Sequence, residues 1–117
     1  MPLRLSLAVL PMLIAAPAAF ASDDRVASAE IASGNYAMAE ATLDAELRIH
    51  PGRPELLLNL AAVYSSTGRA AEARALYQQV LDQREVLMDV SAERVAGSHQ
   101  LATAGMRRIQ NVQLSAR

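Results

Sequence analysis

The sequence predicts an all-α fold in which antiparallel helical hairpins stack as an α-α superhelix, followed by a short connector and a capping helix. The main observation is a repeat, because the stretch 34–47 recurs at 68–81, a spacing of 68 − 34 = 34 residues. A fixed period of this length is typical of architectures whose unit is one helical hairpin. The second observation is an apolar segment of helical composition, 54–64, between the two copies. Four pairs of positions carry the repeat: Gly34 and Gly68, Ala39 and Ala73, Leu43 and Tyr77, and Leu47 and Leu81.

Residues 1–21 are predicted to be an export signal. Arg4 precedes an almost unbroken apolar run, and Ala19-Phe20-Ala21 fits a small-x-small cleavage site. The alternative is an uncleaved membrane anchor, but prolines interrupt the run, and it falls short of the roughly 20 apolar residues that span a bilayer. We therefore expect cleavage after Ala21, a periplasmic or secreted protein, and no stable membrane insertion once the signal is removed.

The composition of the remaining chain narrows the classes of function. Removal of the signal leaves 117 − 21 = 96 residues, enough for one small domain. Ten basic residues (11 − 1) then face twelve acidic ones, a balance that does not favour nucleic acid. The chain has no cysteine, so packing rather than disulfide bonds must stabilise it, and thiol chemistry is excluded.

Four helices are predicted before the connector. The first covers 23–33 with Ser22 or Asp23 as its cap, and the second covers 35–49 with Leu43 on its apolar stripe. Pro51 and Pro54 separate the second helix from a third over 54–66, since proline disfavours helix at the preceding residue and fits a first helical turn. The third helix is apolar on more than one face, so we expect neighbours on two sides. The fourth runs from 70 to about 83.

The repeat stops after Leu81. Residues 85–90 alternate, which favours a short strand with Val86, Met88 and Val90 on one side, and 94–96 could return as a second strand. The alternative is that the fourth helix continues to residue 95. A last helix, 98–114, is expected to begin with Ser98 as N-cap and to close the core with a stripe of apolar side chains: Leu101, Met106, Ile109 and Val112.

The residues of the repeat resemble the tetratricopeptide repeat (TPR) family. The resemblance rests on Leu60-Ala61 followed by Tyr64, Gly68, Ala73, Tyr77 and Leu81, with Pro51 at the position of the family's proline. It covers one full unit, 54–87, and a weaker one at about 20–53, so that two TPR-like hairpins are expected in 22–83 and an extended or hairpin connector in 84–97. The chain departs from the pattern at Leu57, where the family usually has tryptophan, and at Glu46, where it has a small residue.

The resemblance implies a non-enzymatic scaffold that binds a protein or peptide in a concave groove. The groove-facing residues that it implies lie on the first and third helices: Asp24, Arg25, Ser28, Leu58, Asn59, Ala62, Ser65 and Ser66. Asn59 is the most suggestive, because its amide could pair with the backbone of an extended peptide. An alternative is a self-assembling homodimer that pairs through exposed Leu56 or Leu58, since fewer than three repeats rarely bury enough core.

Catalytic groups are sparse in this sequence. His50 and His99 are far apart and lack the further ligands of a metal site at helical spacing, and no glycine-rich phosphate loop is present. We therefore expect no enzyme activity, no metal and no cofactor. The one remote alternative is a hydrolase that uses Ser98 and His99 as nucleophile and base, although structural capping explains these two residues better.

Overall fold

The computed structural model describes residues 27–116 of the chain. The expected export signal, the cap at Ser22 or Asp23 and the groove residues Asp24 and Arg25 lie outside the described residues. Seven elements follow one another within them: α1 (Ser28–Ala32), α2 (Tyr36–Ile49), α3 (Pro54–Ser66), α4 (Ala70–Leu81), β1 (Leu87–Ser91), β2 (Arg94–Gly97) and α5 (Ser98–Ser115).

The helices of the repeat begin and end close to the predicted positions. α3 begins at Pro54, whose fixed φ suits the first helical turn, and α4 ends two residues earlier than expected, at Leu81. Gly34 and Gly68, which occupy equivalent positions of the repeat, both have φ 78°. Only glycine adopts this left-handed conformation without steric cost, so the two glycines produce the same sharp turn at the end of each first helix.

The first helix is shorter than the predicted 23–33. Ala27 has φ 61°, a left-handed conformation that a continuous right-handed helix excludes. α1 therefore begins at Ser28, and the expectation of an unbroken helix from Asp23 is wrong. Ala27 itself is buried, and it packs in one cluster with Ala39, Leu43 and Leu60.

α3 lies at the centre of the core, as its apolar composition predicts. One side contributes Leu56, Leu60 and Val63 to a cluster with α2, and the other contributes Leu57, Leu58 and Ala61 to a cluster with α4 and α5. Leu56 is 0% and Leu58 8% exposed, so these two side chains pack inside the single chain. The homodimer, which the sequence suggests as an alternative, stays a prediction.

An ion pair joins the turn after α3 to α2. Arg69 donates to both carboxylate oxygens of Glu40, at 2.9 and 2.6 Å, and its guanidinium lies 4.2 Å from the centre of the Tyr64 ring. The hydrogen bond from Arg69 lowers the pKa of Glu40 below its ordinary value. Burial raises the pKa of Tyr64, and the carboxylates of Asp44 and Glu40 add to this effect.

The connector after α4 forms an antiparallel β-hairpin in which β1 pairs with β2. Continuation of α4 to residue 95, the alternative interpretation, is therefore wrong. The predicted alternation is only partly correct: Met88 is buried, but Val86 and Val90 are 38% and 43% exposed. Val86 precedes β1, and a bulge between Asp89 and Ser91 interrupts the pairing beside Val90.

α5 closes the end of the core against α3, α4 and β2, although its details differ from those expected. The N-cap residue is Gly97, not Ser98, because the Ser98 side chain binds the hairpin instead of its own helix. Three residues of the predicted stripe, Leu101, Met106 and Ile109, pack on the core, together with Ala102 and Gly105. Val112 does not, since it is 68% exposed. No helix in the described part of the chain is long and apolar enough to cross a membrane.

Candidate functional site

A cavity of about 530 Å³ opens between α3, the β-hairpin and α5. The α3 residues that line it are spaced i, i+3, i+4 and i+7, so they share one helical face. β1 and the turn after it form a second wall, and α5 forms a third. The lining residues are Ser28, Glu55, Leu58, Asn59, Ala62, Tyr77, Met88, Asp89, Val90, Ser91, Ala92, Leu101 and Arg108.

The structure brings part of the predicted groove together at this cavity. Ser28, Asn59 and Ala62 line it, as does Leu58. Ser66 follows the same face of α3, but it is exposed and is not part of the cavity lining. Ser65 instead lines a second cavity of about 240 Å³ beside the C-terminal half of α5. Whether any of these residues contacts a partner stays a prediction.

The hairpin and α5 contribute lining residues that the sequence did not suggest. Met88 to Ala92 and Arg108 enter the cavity wall because the connector folds back over α3, which period and composition do not reveal. Arg108 lies three residues after Gly105 and interacts with Tyr77 of α4, a contact that only the fold reveals. Gly105 approaches Tyr77 so closely that an added Cβ would overlap the ring.

The cavity wall combines apolar side chains with polar or charged ones, which are Ser28, Glu55, Asn59, Tyr77, Asp89, Ser91 and Arg108. Glu55 Oε2 is buried without a hydrogen-bond partner, and its ion-pair distance to Arg53 Nε is 3.7 Å. Burial raises the pKa of the Tyr77 hydroxyl, while the nearby Arg108 guanidinium opposes this shift. A wall that combines apolar side chains with a carboxylate, an amide and a guanidinium can hold an apolar group and orient its polar neighbours.

Ser98 and His99 do not form a nucleophile–base pair. Ser98 is fully buried, and its Oγ accepts a hydrogen bond of 3.0 Å from the Val86 N–H. His99 Nε2 lies 2.7 Å from the Gln83 carbonyl oxygen, to which it donates. Adjacent residues on a helix do not face each other, so these two side chains bind the base of the hairpin separately.

The described residues hold no group of three or more His, Cys, Asp or Glu side chains that could bind a metal ion. Within the part of the chain that the structure covers, the polar groups of the cavity also include no histidine and no serine–histidine contact.

Comparison with known proteins gives one match. A family model described as tetratricopeptide repeat matches residues 30–86, which span most of α1, all of α2 to α4 and the first residues of the connector. No curated protein matches the chain, and no solved structure does.

Proposed function

Because this chain belongs to the tetratricopeptide repeat family through residues 30–86, we propose that it is a non-enzymatic scaffold that binds a protein or peptide in the cavity beside α3. Repeats of this family generally mediate protein–protein interaction. The observation that carries the proposal is the cavity itself, with Ser28, Asn59 and Ala62 in its wall. Its volume is within the range of about 300–1,000 Å³ of binding clefts.

A bound peptide would place an apolar side chain against Leu58 and Ala62 and present its backbone to Asn59. The amide of Asn59 can donate and accept at once, as a peptide group requires. The buried Glu55 oxygen offers a further acceptor at the rim, since an unsatisfied buried acceptor gains most from a new donor.

Peptide arrays probed with the purified protein test this proposal. We expect Asn59→Ala to weaken binding of any peptide that uses the cavity by about tenfold, the effect of one lost hydrogen bond of roughly 1.4 kcal/mol. Ala62→Arg, which fills the cavity, should abolish binding. Gln79→Ala, an exposed polar residue of α4 outside the cavity, is the matched control. Unchanged binding by Ala62→Arg would show that the partner uses another surface.

We also propose that the protein is exported to a bacterial periplasm or secreted. The support is the basic start, the apolar run and the Ala19-Phe20-Ala21 site in 1–21. Intact-mass measurement on the periplasmic fraction should give a chain that begins at Ser22. A variant with Ala19→Arg and Ala21→Arg should remain uncleaved, because the signal peptidase needs small residues there. Recovery of the full-length wild-type protein from the cytoplasm alone would exclude export.

A further inference from the structure

We propose that the cavity binds its partner as an extended peptide which adds to the open edge of β1 as a third strand. This inference rests on the proposed function and names how the partner's backbone is recognised. The occupant is then a segment in β conformation rather than a helix.

The first observation is the run of consecutive residues with which β1 and its turn border the cavity. Met88, Asp89, Val90, Ser91 and Ala92 all line it, and no residue of β2 does. Side chains of a strand alternate between two faces, so a cavity against one face of the hairpin would meet every second residue. The unbroken run indicates that the cavity reaches the edge of β1 from Met88 onwards, where the backbone itself is presented. The bulge after Asp89 contributes to this run but cannot account for Met88 and Asp89.

The second observation is the direction of the backbone groups along that edge. Ser98 N–H donates to the Val86 carbonyl at 2.8 Å, so the backbone groups of Val86 point towards the partner strand. Hydrogen-bonded and non-hydrogen-bonded positions alternate in an antiparallel ladder. The backbone groups of Met88 therefore also point towards β2. The N–H and C=O groups of Leu87 and Asp89 point away from β2, towards the open edge.

No neighbouring strand occupies this edge within residues 27–116, because the sheet has only the order β1–β2. The backbone hydrogen bonds that the described turns and loops contribute include none to Leu87 or Asp89. An exposed strand edge of this kind is a template for another chain in β conformation. The bulge between Asp89 and Ser91 ends the template after Asp89. The new ladder therefore uses Asp89, in the cavity wall, and Leu87, which lies just before the first lining residue of β1.

The opposite walls of the cavity define the side chains that the peptide must carry. Leu58, Ala62 and Leu101 present apolar surface to a strand lying along β1. Because the strand period is two, every second side chain of the peptide would point into the cavity, and these are expected to be apolar. The intervening side chains would point to solvent and can be polar.

A proline scan on the two edges of the hairpin tests this binding mode. The probe is the strongest binder selected from a displayed library of random ten-residue peptides, measured on the full mature protein. Asp89 and Val95 are paired across the hairpin at a non-hydrogen-bonded position, so proline at either removes one outward N–H and no internal bond. We expect Asp89→Pro to weaken peptide binding by about tenfold or more. Val95→Pro should change the affinity by less than about twofold. Asp89→Ala keeps the backbone N–H, so it should also change the affinity by less than about twofold.

Hydrogen exchange on the wild-type protein gives a second, independent measurement, and it decides the question alone if Asp89→Pro does not fold. The bound peptide should slow exchange at the Leu87 and Asp89 amides by about tenfold or more, while the Val95 amide on the other edge keeps its rate. Methylation of alternate peptide nitrogens should weaken binding, and methylation of the intervening ones should not.

Three results would overturn the proposal in different ways. Wild-type affinity in a folded Asp89→Pro protein, or unprotected amides at Leu87 and Asp89, excludes strand addition. If such a peptide still loses its binding in Ala62→Arg, the cavity remains the site and only the binding mode is wrong. If no selected peptide responds to Ala62→Arg, the proposed function fails together with this inference.

Discussion

Gly105 shows how one residue determines the distance between two helices. A Cβ at this position would overlap the Tyr77 ring of α4, and Tyr77 is 3% exposed, so its ring has little room to move. The glycine therefore permits α4 and α5 to approach closely beside the cavity.

We expect Gly105→Ala to destabilise the protein by about 1–3 kcal/mol, the usual cost of overpacking a core. The sign of this change in the free energy of unfolding is informative, because Gly→Ala in a solvent-exposed helix stabilises by about 1 kcal/mol. Urea unfolding of the single variant and of Gly105→Ala in a Tyr77→Leu background measures the effect. The smaller leucine should remove most of the cost, and equal costs in both backgrounds would contradict the contact.

The ionisation of Glu40 makes the stability of the fold depend on pH. Its pKa is lowered from 4.5 by the hydrogen bond from Arg69. A carboxylate whose pKa is lower in the folded state stabilises the fold above the unfolded pKa and loses that contribution as pH falls through the folded value. The difference in free energy of unfolding between the wild type and Glu40→Gln should therefore be complete at pH 7 and decline below about pH 4.5.

Thermal unfolding at pH 7 and at successively lower pH measures this difference. Glu46→Gln on the same helix is the control, since no ion pair of Glu46 is present among the described residues. Both groups of the Glu40–Arg69 pair are partly exposed, so the effect should be small and should weaken with salt. A difference that stayed constant to pH 3 would contradict the role of the pair.

At the scale of elements, the base of the hairpin is held by the start of α5. Ser98 forms two hydrogen bonds with Val86, one through its backbone N–H and one through its hydroxyl. Removal of the hydroxyl leaves the Val86 N–H without its acceptor.

We expect Ser98→Ala to cost about 1–3 kcal/mol and to speed hydrogen exchange at the Val86 amide more than at the amides of α5. Ser115→Ala is the matched control, because its hydroxyl bonds the Asn111 carbonyl at the exposed end of the same helix, and it should stay within about 0.5 kcal/mol. Comparable effects of the two variants would show that the hairpin does not depend on Ser98.

The elements differ in how far the sequence predicts them, and Ser98 illustrates the reason. The bounds of α2, α3 and α4 follow from Gly34, Pro54 and Gly68, because the signal for each lies at the boundary itself. Ser98 is a residue type that often caps helices, but its hydrogen-bond partner Val86 is twelve residues away and comes within reach only when the hairpin forms. The start of α1 depends on the left-handed Ala27, for which alanine gives no sign.

The cavity was predictable on one side only. The groove face of α3, with Asn59 and Ala62, follows from the resemblance and helical periodicity. The hairpin wall does not, because a bulge and a long-range contact set its position. Helical phase also places Ser66 on this face, but Ser66 is exposed and lies outside the cavity lining, so its role in a groove stays a prediction.

At the scale of the whole molecule, two clusters of buried side chains form one core. Leu47, Tyr64 and Leu76 are partly buried and pack against both clusters, so they couple α1 and α2 to α4 and α5. Elements that share core residues in this way unfold together.

We expect Leu43→Ala, in the cluster with α2, and Ile109→Ala, in the cluster with α5, each to cost about 2–5 kcal/mol and to shift the same single transition. Circular dichroism and tyrosine fluorescence in urea should give coincident curves. Val112→Ala, on the exposed side of α5, is the control and should cost less than about 0.5 kcal/mol. Two separated transitions in Ile109→Ala would show that α5 is an independent unit.

The contact between α3 and α5 also has a consequence for the order in which the protein assembles. The other principal helix–helix contacts join neighbours in sequence, and the hairpin closes on itself, so these contacts form locally and at small entropic cost. α5 can reach α3 only after α4 and the hairpin have reversed the chain between them. We expect stopped-flow mixing to show that hydrogen-exchange protection of α5 appears no earlier than that of α3 and α4. Since α3, the hairpin and α5 together bound the cavity, a nascent or partly folded chain would not yet have the site proposed for the partner.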